Sequence, residues 1–283
     1  MITFRPVQGG GSAYREYVQL FSECFPAANK YSQDYLDWLY ARNPDGQVVG
    51  FDAFEGDQLV AHYACVPARA RVGGIDARVL LSLNTATHPQ YQGQGLFTKL
   101  AEHTYAAGSE QGYDCVYGVA NSNSTPGFTR KLKFQLVGPL HARFGIGRLG
   151  IDFEKMASIP HFRRLWSSEA LAWRCASPVN EVTAHAGLKK TTFLAPALYK
   201  GAFSAAAEID NVTAAAIPSV SPGHLRLNIG MVPPAARQRA FYLDIPSRLR
   251  PSPLNLIYRS LSGRIASIDP NAVFITFLDF DAY

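Results

Sequence analysis

The spacing of apolar and polar positions changes several times along the chain, and each change predicts an element. Residues 2–6 form an opening strand. From Ser12 the period becomes helical. Tyr14, Tyr17, Val18, Phe21 and Phe25 share one face, and Pro26 ends the run. Ser32 is placed to cap a second helix over 33–41, closed by Asn43 and Pro44. Apolar runs at 48–54 and 59–66 flank Glu55-Gly56-Asp57 and predict a hairpin. Gly73-Gly74 predicts another, with a return strand over 76–87 that Pro89 cannot continue. A polar loop over 89–94 follows, then a helix over 96–110 with Leu96, Phe97, Leu100, Thr104 and Ala107 on one face and Gly112 as its stop. A strand over 115–120 completes a strand–loop–helix–strand unit, which is a right-handed crossover by the usual rule. Pro126 opens a helix over 126–131, and 134–137 with 141–144 predict a closing hairpin.

Past Gly150 the pattern is sparser. Tyr35-Leu36-Asp37-Trp38, followed by Pro44, is echoed by Ala170-Leu171-Ala172-Trp173, followed by Pro178. One such echo leaves an internal duplication open. Strands are expected near 225–231 and 240–245, a helix over 253–261, and a last strand over 273–280.

Composition narrows the class. The chain has 283 residues, 47% hydrophobic and 17% charged, which suits a folded globular protein with one large or two ordinary cores. The net charge is +5, but Lys and Arg are scattered with no block of five like charges. Nucleic acid is therefore not an expected partner, whereas a small anionic ligand is. Cys24, Cys65, Cys115 and Cys175 are too far apart in sequence for a metal knuckle or redox pair, so free thiols and no metal are expected. Residues 1–6 lack the apolar core of a signal peptide, and no run of about eighteen apolar residues exists. The expectation is a cytoplasmic protein without a membrane partner.

The segment His88-Pro89-Gln90-Tyr91-Gln92-Gly93-Gln94-Gly95-Leu96-Phe97 carries the chemistry. A glycine loop before a helix N-terminus is an anion site, because free N–H groups converge there and the dipole favours negative charge. No Lys-Ser or Lys-Thr closes it as in a Walker loop, and the glycine spacing is wrong for a dinucleotide fingerprint.

This stretch resembles the acyl-CoA loop of GNAT N-acyltransferases, whose pattern is Gln or Arg, two residues, Gly, one residue, then Gly or Ala. Gln92 and Gly95 fit the first and central positions, and Phe97 departs from the last; Gln90, Gly93 and Gly95 fit the same letters. Downstream, Asn121, Asn123, Pro126-Gly127-Phe128 and Leu132-Lys133-Phe134 resemble the Asn turn and Leu-Gly-Phe helix of that family, with Lys133 replacing Gly. The similarity spans residues 2–144. More loosely, the Pro-Gly-Phe helix and the acidic C-terminus resemble a group with two such halves, including enzymes acting on nucleotide-linked amino sugars.

The resemblance implies an α/β GNAT fold with a mixed, largely antiparallel sheet over residues 1–150 and a GNAT-like half over 151–283. The second half has no equivalent loop, so one acyl-CoA per chain is expected. It implies that backbone groups of Thr85, Ala86 and Thr87 bind pantetheine, and that amides of Gln92, Gly93, Gln94, Gly95, Leu96 and Phe97 hold the pyrophosphate. Asn121 or Asn123 would contact the lower pantetheine, and Phe128 is expected among the cofactor-binding residues. The activity implied is acyl transfer from acetyl-CoA or another acyl-CoA to a primary amine of a small molecule, a nucleotide-linked amino sugar being the preferred acceptor. The alternative is a degenerate, non-catalytic CoA-binding module.

Acid and base are less legible. The helix position that carries a Tyr acid in many such proteins falls on Thr129, leaving Tyr63, Tyr91 and Tyr117 as other aromatics. His88 at the end of the presumed pantetheine strand is a candidate base. His62, and an acidic cluster of Asp279, Asp281 and the terminal carboxylate of Tyr283, are others. His141 and Arg143 could bind an anionic acceptor.

Overall fold

The computed structural model describes residues 1–159, 162–197, 203–210, 225–250 and 252–281. The opening strand is β1 (Ile2–Pro6), followed by α1 (Gly11–Cys24) and α2 (Gln33–Tyr40). Ser12 does not cap α1; the chain enters through Gly10, with no side-chain cap. Ser32 does cap α2, its hydroxyl accepting the Tyr35 amide at 3.1 Å. Strands β2 (Val49–Glu55), β3 (Gln58–Val72) and β4 (Ile75–Thr87) form the two expected hairpins. Gly73 and Gly74 both take positive φ, which lets a two-residue loop join β3 to β4 with the strands' own twist. Helix α3 (Leu96–Glu110) then crosses to β5 (Cys115–Ala120), which lies parallel to β4.

Two layers pack on this sheet. Leu96, Leu100, Ala101 and Tyr105 of α3 bury against Val60, Tyr63 and Val116 on one face, while Tyr17, Phe21, Tyr35 and Leu39 of α1 and α2 bury on the other. The expected helix over 126–131 is instead one wide turn, Gly127–Lys131, with Leu132 N–H reaching back five residues to the Gly127 carbonyl.

After this point the chain leaves the expected path. Strands β6 (Gln135–Pro139) and β7 (His141–Ile146) do not form a hairpin; they belong to different sheets. Further on come α4 (Phe153–Met156), β8 (Phe162–Arg164), α5 (Ser168–Cys175), β9 (Thr183–Ala186), β10 (Lys190–Pro196), β11 (Phe203–Asp210), β12 (Leu225–Gly230) and β13 (Phe241–Asp244). Last are β14 (Asn255–Ser260) and β15 (Val273–Phe274). The first sheet runs β1-β2-β3-β4-β5-β14-β6, with β8 and β15 beyond β3, and the second runs β13-β7-β12-β11-β10-β9. Each sheet therefore contains a strand from the other end of the chain: β7 goes forward and β14 comes back.

The side chains explain the exchange. The slot between β5 and β6 is covered on both faces, and Leu256, Ile257 and Tyr258 of β14 are all buried there. His141, Ala142 and Arg143 of β7 are half-exposed and Phe144 and Ile146 exposed, which suits a strand with an open face. The helix expected over 253–261 is thus the strand β14, a short apolar run whose period cannot separate the two. The last strand is also shorter than expected: after Phe274 the chain enters a turn, Phe277–Asp279, in which Thr276 and Asp279 cap each other. Among the described residues, no helix is long and apolar enough to cross a membrane.

The echoed tryptophans meet. The rings of Trp38 on α2 and Trp173 on α5 stack at 4.7 Å and 15°, and each indole N–H donates to the other's backbone carbonyl at 2.8 Å. Both helices start from a serine cap, Ser32 and Ser167. The contact ties the chain's halves, so Trp173→Ala is expected to cost about 2–3 kcal/mol in lost burial and an orphaned Trp38 carbonyl. Chemical denaturation of the variant checks this.

Candidate active site at the fork of β4 and β5

Parallel pairing of β4 with β5 covers only Val79 to Ser82 against Cys115 to Gly118. Beyond Ser82 the strands part, and the β5-facing edge of β4 has no strand partner among the described residues. The cause lies inside β4. The register against β3 shifts at Asn84, which takes positive φ (47°), a conformation Asn tolerates better than most residues.

A buried polar chain holds this bulge. Asn84 Nδ2 donates to Tyr40 Oη at 2.9 Å, so the Tyr40 hydroxyl donates to His62 Nε2 at 2.8 Å and His62 Nδ1–H to Asp52 Oδ1 at 2.6 Å. Tyr17 Oη donates to the other Asp52 oxygen at 2.7 Å. Burial raises Tyr40 far above the ordinary phenol range, so it stays a donor. His62 is therefore spent on fixing β4.

The opened fork holds two cavities. The first, about 380 Å³, runs from Thr85 and Thr87 to Gln92, Gly93, Gly95, Leu96 and Phe97, with Cys24, Phe25 and Lys131 on its walls. Gly93 and Gly95 take φ of +79° and +75°, and a Cβ built at either would meet nothing within 4 Å. The glycines thus answer backbone shape and keep space open in front of the loop. The first turn of α3 has amides without intrahelical partners and no acidic residue, so its positive end is uncompensated. These features fit a polyphosphate. Phe97 fills the space left by Gly127, whose Cβ would lie 3.1 Å from the ring, and it packs edge-on against Phe128 at 5.2 Å.

The second cavity, about 360 Å³, adjoins the first across Phe25 and lies where the strands begin to part. Ser82, Asn84, Asn121 and Ser124 line it from the fork, Lys30 and Tyr31 from the α1–α2 connection, and Phe280 and Asp281 from the C-terminal tail. Lys30 Nζ lies 2.6 Å from Asp281 Oδ2. Burial alone would push Lys30 down, but Asp281 and Tyr31 outweigh it and hold Lys30 above its ordinary value.

The residues expected from the sequence divide accordingly. Thr85, Thr87, Gln92, Gly93, Gly95, Leu96 and Phe97 line the first cavity together. Ala86 points the opposite way into the α1–α2 core, as strand alternation requires, and Gln94 is exposed on the loop. Asn121 lines the second cavity, with its side-chain oxygen accepting the amides of Asn123 and Ser124 at 3.0 and 2.9 Å. Asn123 is exposed and lines neither cavity; Phe128 lies behind Phe97. His88 also lines neither. Its Nδ1 accepts the Gln90 amide at 3.3 Å and its Nε2 faces Glu23 at 3.1 Å, so the ring caps the Pro89–Tyr91 turn. Tyr283 lies outside the described residues.

Tyr63, Tyr91 and Tyr117 are each engaged, with Ser82, Glu55 and the Asp279 carbonyl respectively. His141 and Arg143 travel with β7 into the second sheet, where Arg143 donates to Asn228 at 3.0 Å. Sequence reasoning missed Lys30, Tyr31 and Asn84. Only Asn84 left a signal there, as a polar residue able to adopt positive φ inside an apolar strand.

Cys24 offers a test of the first cavity. Burial and Glu23 raise its thiol, while burial pushes Cys65 and Cys115 to about 12 and Cys175 to about 11. Iodoacetamide labelling of the native protein is expected at Cys24 first, faster as pH rises and slower with acetyl-CoA bound, read by peptide mass spectrometry.

Residues 4–137 match the family model of an acetyltransferase (GNAT) domain. No curated protein sequence matches the chain. Similar solved structures include a GCN5-related N-acetyltransferase from Kribbella flavida, at 13% identity and TM-score 0.64, covering 92% of this chain and 72% of that one. Another is a GCN5-related N-acetyltransferase from Anabaena variabilis, at 11% identity and TM-score 0.62, with 92% and 73% covered. A conserved protein from Enterococcus faecalis matches at 11% identity and TM-score 0.61, with 93% and 73% covered. At these identities the likeness is one of fold. The protein has the GNAT fold, and the similarity extends over both sheets.

Proposed function

We propose that the protein is an acyl-CoA-dependent N-acyltransferase, with acyl-CoA in the first cavity and a primary amine in the second. The observation that carries this reading is the fork itself. The free edge of β4 leads, across the bulge at Asn84, from a glycine-lined helix N-terminus to a separate polar cavity. An extended pantetheine arm can pair with that edge as an added strand, and the pyrophosphate can sit on the amides of Gly93 to Phe97. The thioester then lies where β4 and β5 part. A neutral amine in the second cavity attacks its carbonyl, and strand N–H groups stabilise the oxyanion. Breaking the C–S bond releases CoA thiolate, a leaving group that needs little acid near neutral pH, and the proton that the attacking nitrogen sheds passes to this thiolate, giving the amide and CoA thiol.

For the acceptor, the hydroxyl and amide liners suit an amino sugar's hydroxyls. The lysine of this cavity is paired with Asp281, which leaves no free cation among the described lining residues for a nucleotide diphosphate. An unlinked amine therefore fits better than the nucleotide-linked sugar. Thr129 in place of an acid tyrosine supports the second reading, a non-catalytic CoA-binding module. Acetyl-CoA with a panel of primary amines, assayed for CoA release, separates the two. Amine-dependent release supports the enzyme; binding without release under any amine supports the module.

A further inference from the structure

The C-terminal tail is held with unusual completeness. Asp279 accepts the Thr276 amide and hydroxyl at 2.6 and 2.9 Å on one oxygen and the Trp166 indole N–H at 3.0 Å on the other. Arg174 donates to the Leu278 and Phe280 carbonyls at 3.2 and 3.3 Å, and Tyr117 Oη donates to the Asp279 carbonyl at 2.8 Å. These contacts deliver the next charged residue, Asp281, to the second cavity.

Asp281 is used asymmetrically there. Its Oδ2 receives Lys30 Nζ at 2.6 Å and the Tyr35 hydroxyl at 2.5 Å. Its Oδ1 is buried and has no hydrogen-bond partner among the described residues, and the side chain as a whole is 8% exposed. A buried carboxylate oxygen left unpaired is costly, and a donor from a ligand in the cavity would relieve it. Lys30 balances the formal charge, so the vacant oxygen selects a hydrogen-bond donor rather than a cation as such. An amino group is such a donor, and Phe25, Tyr31, Leu254 and Phe280 supply an apolar wall for the carbon skeleton it sits on.

Resting on the acyltransferase reading, we propose that Asp281 binds the acceptor, its carboxylate turning to present the buried Oδ1 to an N–H of the amine and so orienting the nitrogen lone pair toward the fork. The acceptor class is a primary amine on a partly apolar, partly hydroxylated small skeleton.

The test uses the full-length protein with acetyl-CoA and, as amines, 2-phenylethylamine, glucosamine and spermidine. With the best of these, Asp281→Asn is expected to raise KM for the amine at least about ten-fold, because an amide N–H then faces the amine. The acetyl-CoA Kd should be unchanged, and Asp281→Glu should recover part of the loss. A merely structural role would move both constants together or neither. An unchanged KM in Asp281→Asn overturns the proposal while leaving the acyltransferase reading standing. Absence of transfer by the wild type to every amine overturns the reading itself. If Asp281→Asn melts well below the wild type, the wild type alone decides. The N,N,N-trimethyl counterpart of the best amine keeps the charge but has no N–H, and is expected to inhibit at least about ten-fold more weakly than the parent binds. Equal binding overturns the proposal.

Discussion

Replacing Gly95 with tryptophan is expected to weaken acetyl-CoA binding by at least about 100-fold, about 3 kcal/mol, by calorimetric titration. A Cβ at this position meets no atom within 4 Å, so the side chain would occupy ligand space rather than collide with the protein. The positive φ of 75° adds a strain of about 1–2 kcal/mol that a folded domain can absorb. On the proposed placement of the pyrophosphate, the interactions lost would be charge-assisted bonds from amides of the loop and first turn, each worth about 1.5–3 kcal/mol. A folded variant that binds acetyl-CoA as tightly as the wild type would remove the loop from the cofactor site. No binding by the wild type to acetyl-CoA or longer acyl-CoAs would remove the acyltransferase reading altogether.

Asp52→Ala is expected to lower stability by about 3 kcal/mol, because it strips the partner from two buried donors. Those donors are His62 Nδ1–H and the Tyr17 hydroxyl, with His62 fully buried and Tyr17 2% exposed. Tyr17 can turn to the Gln8 carbonyl, now 3.4 Å away, but His62 has no such alternative in view. Loosening His62 frees Tyr40, and with it the Asn84 bulge that parts β4 from β5. Amine-dependent turnover should therefore fall further than acetyl-CoA affinity. A midpoint shift in urea equivalent to less than about 1 kcal/mol would show that the network can be rebuilt by water.

The loop and its helix were legible because their signals are local. Gln92 to Phe97 needs positive φ at two positions and free amides at a helix start, and both follow from a dozen adjacent residues. The serine cap of α2, the two glycine hairpins and the crossover through α3 were legible for the same reason. The second cavity was not. Lys30 and Tyr31 sit in a connection with no periodic pattern, and Asp281 lies 251 positions from the lysine it holds. Nothing near either residue in sequence announces the other.

The reading of His88 and of residues 253–261 shows the same limit. His88 stands beside the loop, but its ring caps a turn and faces Glu23. Leu256-Ile257-Tyr258 has apolar character compatible with either a helix or a strand, and it became a strand because the slot between β5 and β6 needs a segment buried on both faces. The expected hairpin at 134–144 failed for the complementary reason, since half-exposed β7 could not fill that slot.

The sequence by itself determined the backbone of the glycine loop and the order of elements that carry it, because capping, glycine φ and apolar period act over a few residues. Only the tertiary structure decided which strand closes each sheet, what fixes the bulge at Asn84, and that the tail completes a cavity of the N-terminal half. Those outcomes depend on burial and hydrogen bonding between residues far apart in the chain, and local preference is indifferent to them.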